Sequence, residues 1–102
     1  MNLYLINQVN TNYYKIGITN KNPEIRVKEL QIGNAEELRL VVTFITAHGF
    51  KLEAAMHAYY KLKRVNSEWF ELSDEEVSLF LDNCGKLEES IKFLKDAGNP
   101  FI

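Results

Sequence analysis

The chain opens with two short apolar runs that have the composition of β-strands. Residues 3–6 and 14–19 are rich in β-branched and aromatic side chains, and a polar triplet at residues 10–12 separates them. This spacing predicts an antiparallel hairpin closed by a short loop. A third run, at residues 38–45, is almost continuously apolar in its second half. Such a run is typical of a strand covered on both faces, so we predict that it forms the middle of the sheet.

Helical patterns follow these strands. Asn22 and Pro23 have the residue types of an N-cap and a first-turn proline, and they predict a helix that runs to about Gln31. Glycine and asparagine at residues 33–34 are expected to end this helix. At residues 49–62 apolar side chains recur at intervals of three and four, which predicts an amphipathic helix packed on the sheet.

The predicted helix at residues 49–62 has two distinct faces. Its apolar face consists of Leu52, Ala55, Met56 and Tyr59. The opposite face carries polar side chains spaced by four, three and four positions, which fall within about 60° of one another on an α-helix. These side chains are Glu53, His57, Tyr60 and Arg64. We therefore expect one face to pack on the sheet and the other to carry candidate functional groups.

The C-terminal part of the chain is also predicted to be helical. Ser73 and Glu76 form a capping-box pattern that begins one helix, and a last helix is predicted after Gly85, ending near residues 98–100. The lone cysteine, Cys84, lies among apolar residues and has no partner for an internal disulfide. A buried or half-buried thiol is therefore expected.

The length and composition of the chain indicate one small domain. Its 102 residues, with 46% apolar and 12% aromatic side chains, are enough for a single hydrophobic core, so one domain over residues 1–102 is predicted. The sequence shows neither a leader-like N-terminal pattern nor an apolar segment of membrane-spanning length. This pattern favours a cytoplasmic protein without membrane contacts.

The charge is distributed unevenly along the chain, although the net charge is only -2. Residues 1–66 carry nine Lys/Arg and five Asp/Glu, a net charge of +4, whereas residues 67–102 carry three and nine, a net charge of -6. A basic first part is consistent with a nucleic-acid-binding face and equally with an ordinary solvated surface. Charge alone leaves both interpretations open.

Five short motifs, taken in order, resemble the GIY-YIG nuclease superfamily and within it the short phage and bacterial branch that has KIG in place of YIG. They are Leu3-Tyr4-Leu5-Ile6, Tyr14-Lys15-Ile16-Gly17-Ile18-Thr19, Arg26, Leu52-Glu53-Ala54-Ala55-Met56-His57 and Ser67-Glu68-Trp69-Phe70. The resemblance covers residues 3–76 and implies an α+β, sandwich-like fold. Its expected sheet is small, three-stranded and mainly antiparallel, is flanked by helices, and is followed by a helical extension at residues 77–102.

The resemblance implies catalytic roles for Tyr4, Lys15, Arg26, Glu53 and His57. Tyr4 would help to deprotonate the attacking water, Arg26 would neutralise the phosphate, and Glu53 would bind Mg²⁺ or Mn²⁺. Lys15 replaces the second tyrosine of the superfamily, and it would either lower the pKa of Tyr4 or contact the scissile phosphate. His57 would assist proton transfer or hold a phosphate, the alternative being a structural hydrogen bond.

Other residues have expected roles around this centre. Lys21, Lys28 and Arg64 are the expected contacts to nucleic acid. Trp69 is expected to close the core rather than to stack on a base, with Tyr13, Tyr59 and Tyr60 as weaker candidates for stacking. A zinc site is not expected, because zinc needs three or four ligands and the spacing does not gather enough of them.

Together these features predict a metal-dependent endonuclease that cleaves phosphodiester bonds in DNA in preference to RNA. A homodimer or a separate targeting partner is expected to supply specificity, since so short a chain has no room for a further DNA-binding domain. Two alternatives stay open. One is a catalytically weak or inactive module that binds nucleic acid or a partner protein, and the other is a partner-dependent subunit whose acidic C-terminal third masks or mimics DNA.

Overall fold

Five antiparallel strands form a single sheet in the computed structural model, which describes residues 1–98 of the chain. The strands are β1 (Asn2–Gln8), β2 (Tyr13–Thr19), β3 (Leu38–Ile45), β4 (Arg64–Asn66) and β5 (Trp69–Glu71), paired in the order β3-β1-β2-β5-β4. Helices flank the sheet, which confirms the α+β class. The predicted number of three strands is wrong, because the short β4–β5 hairpin adds two strands beside β2.

The first two strands form the predicted hairpin. In its register Tyr4 lies opposite Gly17. Asn10 in the connecting loop has a φ of 64°, a left-handed conformation that asparagine tolerates better than most residues. β1 is covered on both faces, since Leu3–Ile6 are each at most 1% exposed. β1, and not the third apolar run, is therefore the strand enclosed on both sides.

β3 is an edge strand within the described part of the chain, so the prediction that residues 38–45 form the middle of the sheet is wrong. Its burial alternates, and Val41, Thr43 and Ile45 are exposed. The pairing with β1 also skips Val41, which lies in a bulge. An apolar, β-branched run fits an edge strand covered on one face as well as a central strand, so composition did not separate the two.

Helices lie on both faces of the sheet. Within residues 1–98 they are α1 (Pro23–Gln31), α2 (Gly49–Tyr59), a 3₁₀ turn (Lys61–Lys63), α3 (Asp74–Ser78) and α4 (Phe80–Asp96). The Asn22 side chain accepts from the backbone N–H of Glu24 at the start of α1, and the Ser73–Glu76 capping box begins α3, as predicted. The predicted helix start after Gly85 is wrong. α4 runs through this position, because a single glycine weakens a long helix by only about 1 kcal/mol and does not end it.

The sheet separates two hydrophobic clusters. The larger cluster lies on the side of α2 and α4 and includes Leu5, Ile16, Leu52, Met56, Phe70 and Phe80. The smaller cluster lies under α1 and consists of Tyr4, Ile6, Val27 and Leu38. Because side chains alternate along a strand, consecutive residues of β1 enter different clusters. α1 and α2 consequently deliver their side chains to the sheet from opposite faces.

The single thiol of the chain lies in the hydrophobic core. Cys84 is fully buried, and burial raises the pKa of its thiol to about 12. Since the thiolate is the reactive form of cysteine, this thiol is chemically inert at neutral pH. Among the helices described in residues 1–98, none has the length and hydropathy that crossing a bilayer requires.

Candidate active site

An open stretch of β2 lies just beyond the end of β5. The pairing of the two strands reaches Lys15, which lies opposite Trp69. The backbone N–H of Ile16 then donates to the carbonyl oxygen of Glu68 at 3.1 Å, and the Ile16 carbonyl oxygen contacts Nε2 of His57 at 2.9 Å. Side chains that belong to opposite faces of the sheet therefore meet around this edge.

Three metal-ligating side chains converge at this edge. One ligand atom from each of Glu53, His57 and Glu68 lies within 4.8 Å of the other two. Glu53 and His57 are one turn apart on α2 and project from the same face of the helix. Glu68 comes from the β4–β5 turn, where Ser67 has a φ of 42°, in a region that residues other than glycine rarely adopt. This tight turn places Glu68 opposite α2.

The two carboxyl groups of the cluster have opposite pKa shifts. Burial, followed by the hydrogen bond and charge of Glu68, raises the pKa of Glu53 from 4.5 to about 7. Burial also opposes ionisation of Glu68, but Lys15 Nζ donates to its Oε2 at 2.8 Å, and the pKa of Glu68 is lowered overall. Near neutral pH Glu68 is therefore ionised, while Glu53 readily takes up or releases a proton.

Lys15 is the cation of this cluster. Its side chain is only 13% exposed, and its ammonium group lies 5.8 Å from the centroid of the Trp69 ring. A lysine on a strand is ordinarily solvated, because burial of an unpaired ammonium group is costly. The contact with Glu68 offsets that cost and holds a positive charge beside the two carboxyl groups.

Tyr4 and Arg26 lie on the α1 side of the sheet. Tyr4 is 1% exposed, and its ring crosses Gly17 so closely that a Cβ atom there would lie 2.6 Å from Tyr4 Cζ. The glycine therefore makes room for the tyrosine, which is the close approach that a glycine within a strand predicts. A hydrogen bond to Tyr4 is the main cause that raises the pKa of Arg26, and Glu29, 3.6 Å from its Nη1, contributes to the shift.

His57 is held in place by contacts to β2 and β5. Its ring lies 5.2 Å from the ring of Phe70, and its Nε2 faces the Ile16 carbonyl oxygen. Because a carbonyl oxygen can only accept, the proton of the neutral imidazole belongs on Nε2, and Nδ1 keeps its lone pair. The structural hydrogen bond considered for His57 is thus present, and Nδ1 still has the lone pair that proton transfer or metal binding requires.

One protein-family model matches most of the chain. The sequence model of one family, described as the T5orf172 domain, matches residues 1–92. The chain belongs to the T5orf172 domain family. This finding corrects the assignment to the GIY-YIG superfamily, because T5orf172 is a distinct family and no GIY-YIG family matches. The five motifs were each only a few residues long, and short strand and helix segments of this kind do not discriminate well between families.

The other comparisons add no relative to this T5orf172 domain. No curated protein matches the chain, and no solved structure matches it. The T5orf172 family is associated with endonuclease-like proteins. In coarse terms this association supports a nuclease-related or nucleic-acid-binding role. Any finer assignment depends on the chemistry of the site itself.

The T5orf172 domain brings the predicted catalytic residues together in two groups beside β2. Lys15, Glu53 and His57 meet around Glu68, and Tyr4 lies against Arg26. Both groups adjoin the stretch of β2 that β5 leaves open.

The predicted nucleic-acid contacts are more scattered. Lys21 pairs with Glu29 at 2.6 Å, and Lys28 is exposed on α1. Arg64 was predicted to lie on the helix of Glu53 and His57, but α2 already ends at Tyr59. Arg64 lies on β4 instead, and its Nε donates to a backbone carbonyl of the β4–β5 turn. Tyr60 is buried at 3% exposure. The predicted polar helix face is therefore correct for its first two members and wrong for the last two.

Glu68 is the site residue that sequence reasoning missed. It lies within the Ser67–Phe70 motif, but the two aromatic residues that follow it give the stronger signal, that of a core position. A glutamate at the tight turn between two short strands carries no distinctive local signal. Its role depends on contacts with Lys15, which lies 53 positions earlier, and with α2.

The donor set of this T5orf172 domain fits a hard divalent cation. Two carboxyl groups suit Mg²⁺ and Mn²⁺, and the Nδ1 lone pair of His57 beside them stays available to accept a proton. Burial is the largest cause of the raised pKa of Glu53, and the neighbouring Glu68 adds to it, so a divalent cation held by the two carboxyl groups would favour their ionised forms. Water and phosphate oxygens would complete the coordination shell.

Proposed function

We propose that this T5orf172 domain is a metal-dependent endonuclease that hydrolyses phosphodiester bonds, with DNA preferred over RNA. The supporting observation is the convergence of Glu53, His57 and Glu68 within 4.8 Å at an open sheet edge, with Lys15 bonded to Glu68. Carboxylates, an imidazole and a buried ammonium are the groups that activate water and neutralise a phosphate during hydrolysis. The association of the family with endonuclease-like proteins points in the same direction.

The cluster around Glu68 supplies most of the chemistry in this proposal. Glu53 and Glu68 would hold Mg²⁺ or Mn²⁺, which when bound would supply a Lewis acid for the phosphate oxygens. Nδ1 of His57 accepts the proton that the attacking water loses as its oxygen bonds to phosphorus, the bond to the leaving oxygen breaks, and that oxygen takes a proton from solvent water. Lys15 neutralises charge on the phosphate, because its ammonium group already faces the carboxylates that would bind the cation.

Tyr4 and Arg26 have a different division of labour from the one that the sequence implied. With Tyr4 at 1% exposure and beside Arg26, its hydroxyl has little access to a water molecule. We assign Tyr4 to the positioning of Arg26, whose permanently charged guanidinium neutralises a second phosphate oxygen. Glu29 assists by pairing with the same guanidinium.

Cleavage assays with matched glutamate variants test the proposal. Purified protein is incubated with supercoiled plasmid, single-stranded DNA or RNA, with Mg²⁺ or Mn²⁺ and in parallel with EDTA. Cleavage of DNA should disappear with EDTA and in Glu53→Gln. It should persist in Glu89→Gln, which alters an exposed glutamate on α4. Cleavage that survives in Glu53→Gln would contradict the assigned centre.

A nucleic-acid-binding module without catalysis is the second candidate. It is favoured by the ion pair between Lys15 and Glu68, which satisfies Glu68 without a metal. In that case the wild-type protein would not cleave DNA under any metal condition but would still bind it. Such binding should weaken steeply as the salt concentration rises, since phosphate contacts release counterions. Retention on DNA that is insensitive to salt would count against both candidates.

A further inference from the structure

A groove of about 390 Å³ opens on the α1 side of the sheet, next to the candidate active site. Its lining residues are Gln8, Tyr13, Asn34, Val65, Asn66 and Trp69. α1 packs against β1 and β3, on one half of this face, whereas the groove lies towards the half formed by β2, β4 and β5. Its volume falls at the lower end of the range for small-ligand sites, about 300–1,000 Å³.

Two aromatic side chains form the apolar part of the groove. Tyr13 precedes Lys15 by two positions on β2, and Trp69 lies opposite Lys15 on β5, so all three project from the same face of the sheet. Tyr13 is 39% exposed, and Trp69 is half-buried where it packs against the cluster under α1. The expectation that Trp69 belongs to the core is thus only partly met. A ring anchored along one side and open on the other is suited to stacking.

Amide side chains form the polar part of the groove. Among residues 1–98 the side chains of Gln8 and Asn66 make no hydrogen bond within the chain, while Asn34 Oδ1 accepts from the backbone N–H of Glu36 at 3.0 Å. The Nδ2 group of Asn34 therefore remains available as a donor. Side-chain amides both donate and accept, which matches the edges of nucleobases, and aromatic rings match their faces.

The groove adjoins the candidate active site through Trp69. Trp69 directly follows Glu68 in the chain, and its ring lies 5.8 Å from Lys15 Nζ, which contacts Glu68 at 2.8 Å. We infer that the groove binds an unpaired nucleobase of a single strand, stacked between Tyr13 and Trp69, with its phosphate directed towards Lys15. This inference rests on the proposed function, and it adds that the substrate is single-stranded or locally unpaired at this position.

Trp69 provides a direct probe, because it is the single tryptophan of the chain. Its fluorescence is recorded in EDTA during titration with a short oligothymidylate and with a sugar-phosphate oligomer of the same length that lacks bases. The base-containing strand should quench the fluorescence and bind about fivefold to tenfold more tightly than the abasic strand, because each stacked base adds affinity. Equal binding of the two strands without quenching would overturn the inference, since phosphate contacts alone would then explain the affinity.

Variants that leave the core intact test the individual contacts. Tyr13→Leu and Asn66→Ala change exposed side chains of the groove, and Tyr59→Leu is the matched control because Tyr59 is exposed on α2. Tyr13→Leu should remove most of the preference for the base-containing strand, and Asn66→Ala should weaken its binding by a smaller factor. Tyr59→Leu should leave both unchanged. A preference that persists in Tyr13→Leu and Asn66→Ala would overturn the inference.

The nucleobase-binding inference and the nuclease proposal can be refuted separately, because these titrations need neither metal nor cleavage. A preference for base-containing strands that Tyr13→Leu abolishes supports the groove even if no cleavage is ever observed. The converse result is metal-dependent cleavage that is identical in Tyr13→Leu and in the wild type, with no quenching of Trp69 fluorescence. This result overturns the inference that the groove binds a nucleobase, and it does not affect the nuclease proposal. Absence of any nucleic-acid binding overturns both.

Discussion

Replacing Glu53 with glutamine should stabilise the metal-free protein near neutral pH while removing its response to divalent cations. Burial and the neighbouring Glu68 raise the pKa of Glu53 to about 7, so the folded protein holds this proton more tightly than the unfolded chain does. The folded state consequently loses stability as the pH rises from about 4.5 to about 7 and the group ionises. Glutamine keeps the shape of the side chain and cannot ionise.

The magnitude follows from the size of the shift. A change from 4.5 to about 7 would correspond to roughly 3 kcal/mol for a fully buried group, at about 1.4 kcal/mol per pKa unit. Glu53 is only half-buried, and solvent screening reduces the effect, so we expect a gain of about 1 kcal/mol in the free energy of unfolding above pH 7. Below about pH 4.5 the difference between variant and wild type should vanish.

Urea unfolding in EDTA measures this difference. Wild type, Glu53→Gln and the exposed-site control Glu89→Gln are unfolded across a series of pH values, and the free energies are compared at each pH. The difference for Glu53→Gln should grow as the pH rises from about 4.5 to about 7 and level off above that, and Glu89→Gln should follow the wild type. A difference that is independent of pH, or a less stable variant at high pH, would refute the reasoning about the two carboxyl groups.

The response to metal completes the test. A cation that binds the folded state at about one hundred times its dissociation constant stabilises that state by about 2.7 kcal/mol. Mn²⁺ should therefore raise the stability of the wild type above that of metal-free Glu53→Gln, reversing their order. If Mn²⁺ stabilises Glu53→Gln as much as the wild type, the cation binds elsewhere.

Three further predictions test the parts of the site. Gly17→Ala should destabilise the fold by about 1–3 kcal/mol in thermal melts, because the added Cβ would clash with Tyr4. Gly85→Ala, which has open space around it in α4, should stabilise the fold by about 0.5–1 kcal/mol. Equal effects of the two changes would contradict the packing of Tyr4 on Gly17. Lys15→Met removes the ammonium group that competes for Glu68, so calorimetry should find tighter Mn²⁺ binding while DNA cleavage falls; weaker Mn²⁺ binding would argue against that competition. The logarithm of the association constant for single-stranded DNA should fall linearly with the logarithm of the salt concentration, as measured by fluorescence titration, and a flat dependence would exclude phosphate contacts.

Local sequence signals predicted the parts of the fold that local interactions determine. The β1–β2 hairpin, the N-cap at Asn22 and the capping box at Ser73 each depend on residues a few positions apart, and each is present in the structure. The same holds for the pairing of Glu53 with His57, which needs only one turn of helix. These features follow from backbone geometry and short-range hydrogen bonds.

Strand order and helix continuity were not predictable in this way. Residues 38–45 have the composition of a central strand, yet they form an edge, because the sheet adds the β4–β5 hairpin beside β2 instead of beside β3. The helix predicted to begin after Gly85 begins at Phe80, since tertiary packing outweighs the cost of one glycine. Both outcomes depend on which surfaces the folded chain covers.

The sequence by itself supplied the candidate groups of the site, and the tertiary structure decided which of them lie together. Tyr4, Lys15, Arg26, Glu53 and His57 were named through the resemblance that the family comparison corrects, and residue type alone left an ordinary structural or solvated role open for each. The inclusion of Glu68 was not predictable, because the contact that gives it a role joins it to Lys15 across 53 positions of the chain. That contact exists because β5 ends beside β2 just where α2 passes over the sheet, and no short-range interaction specifies this meeting.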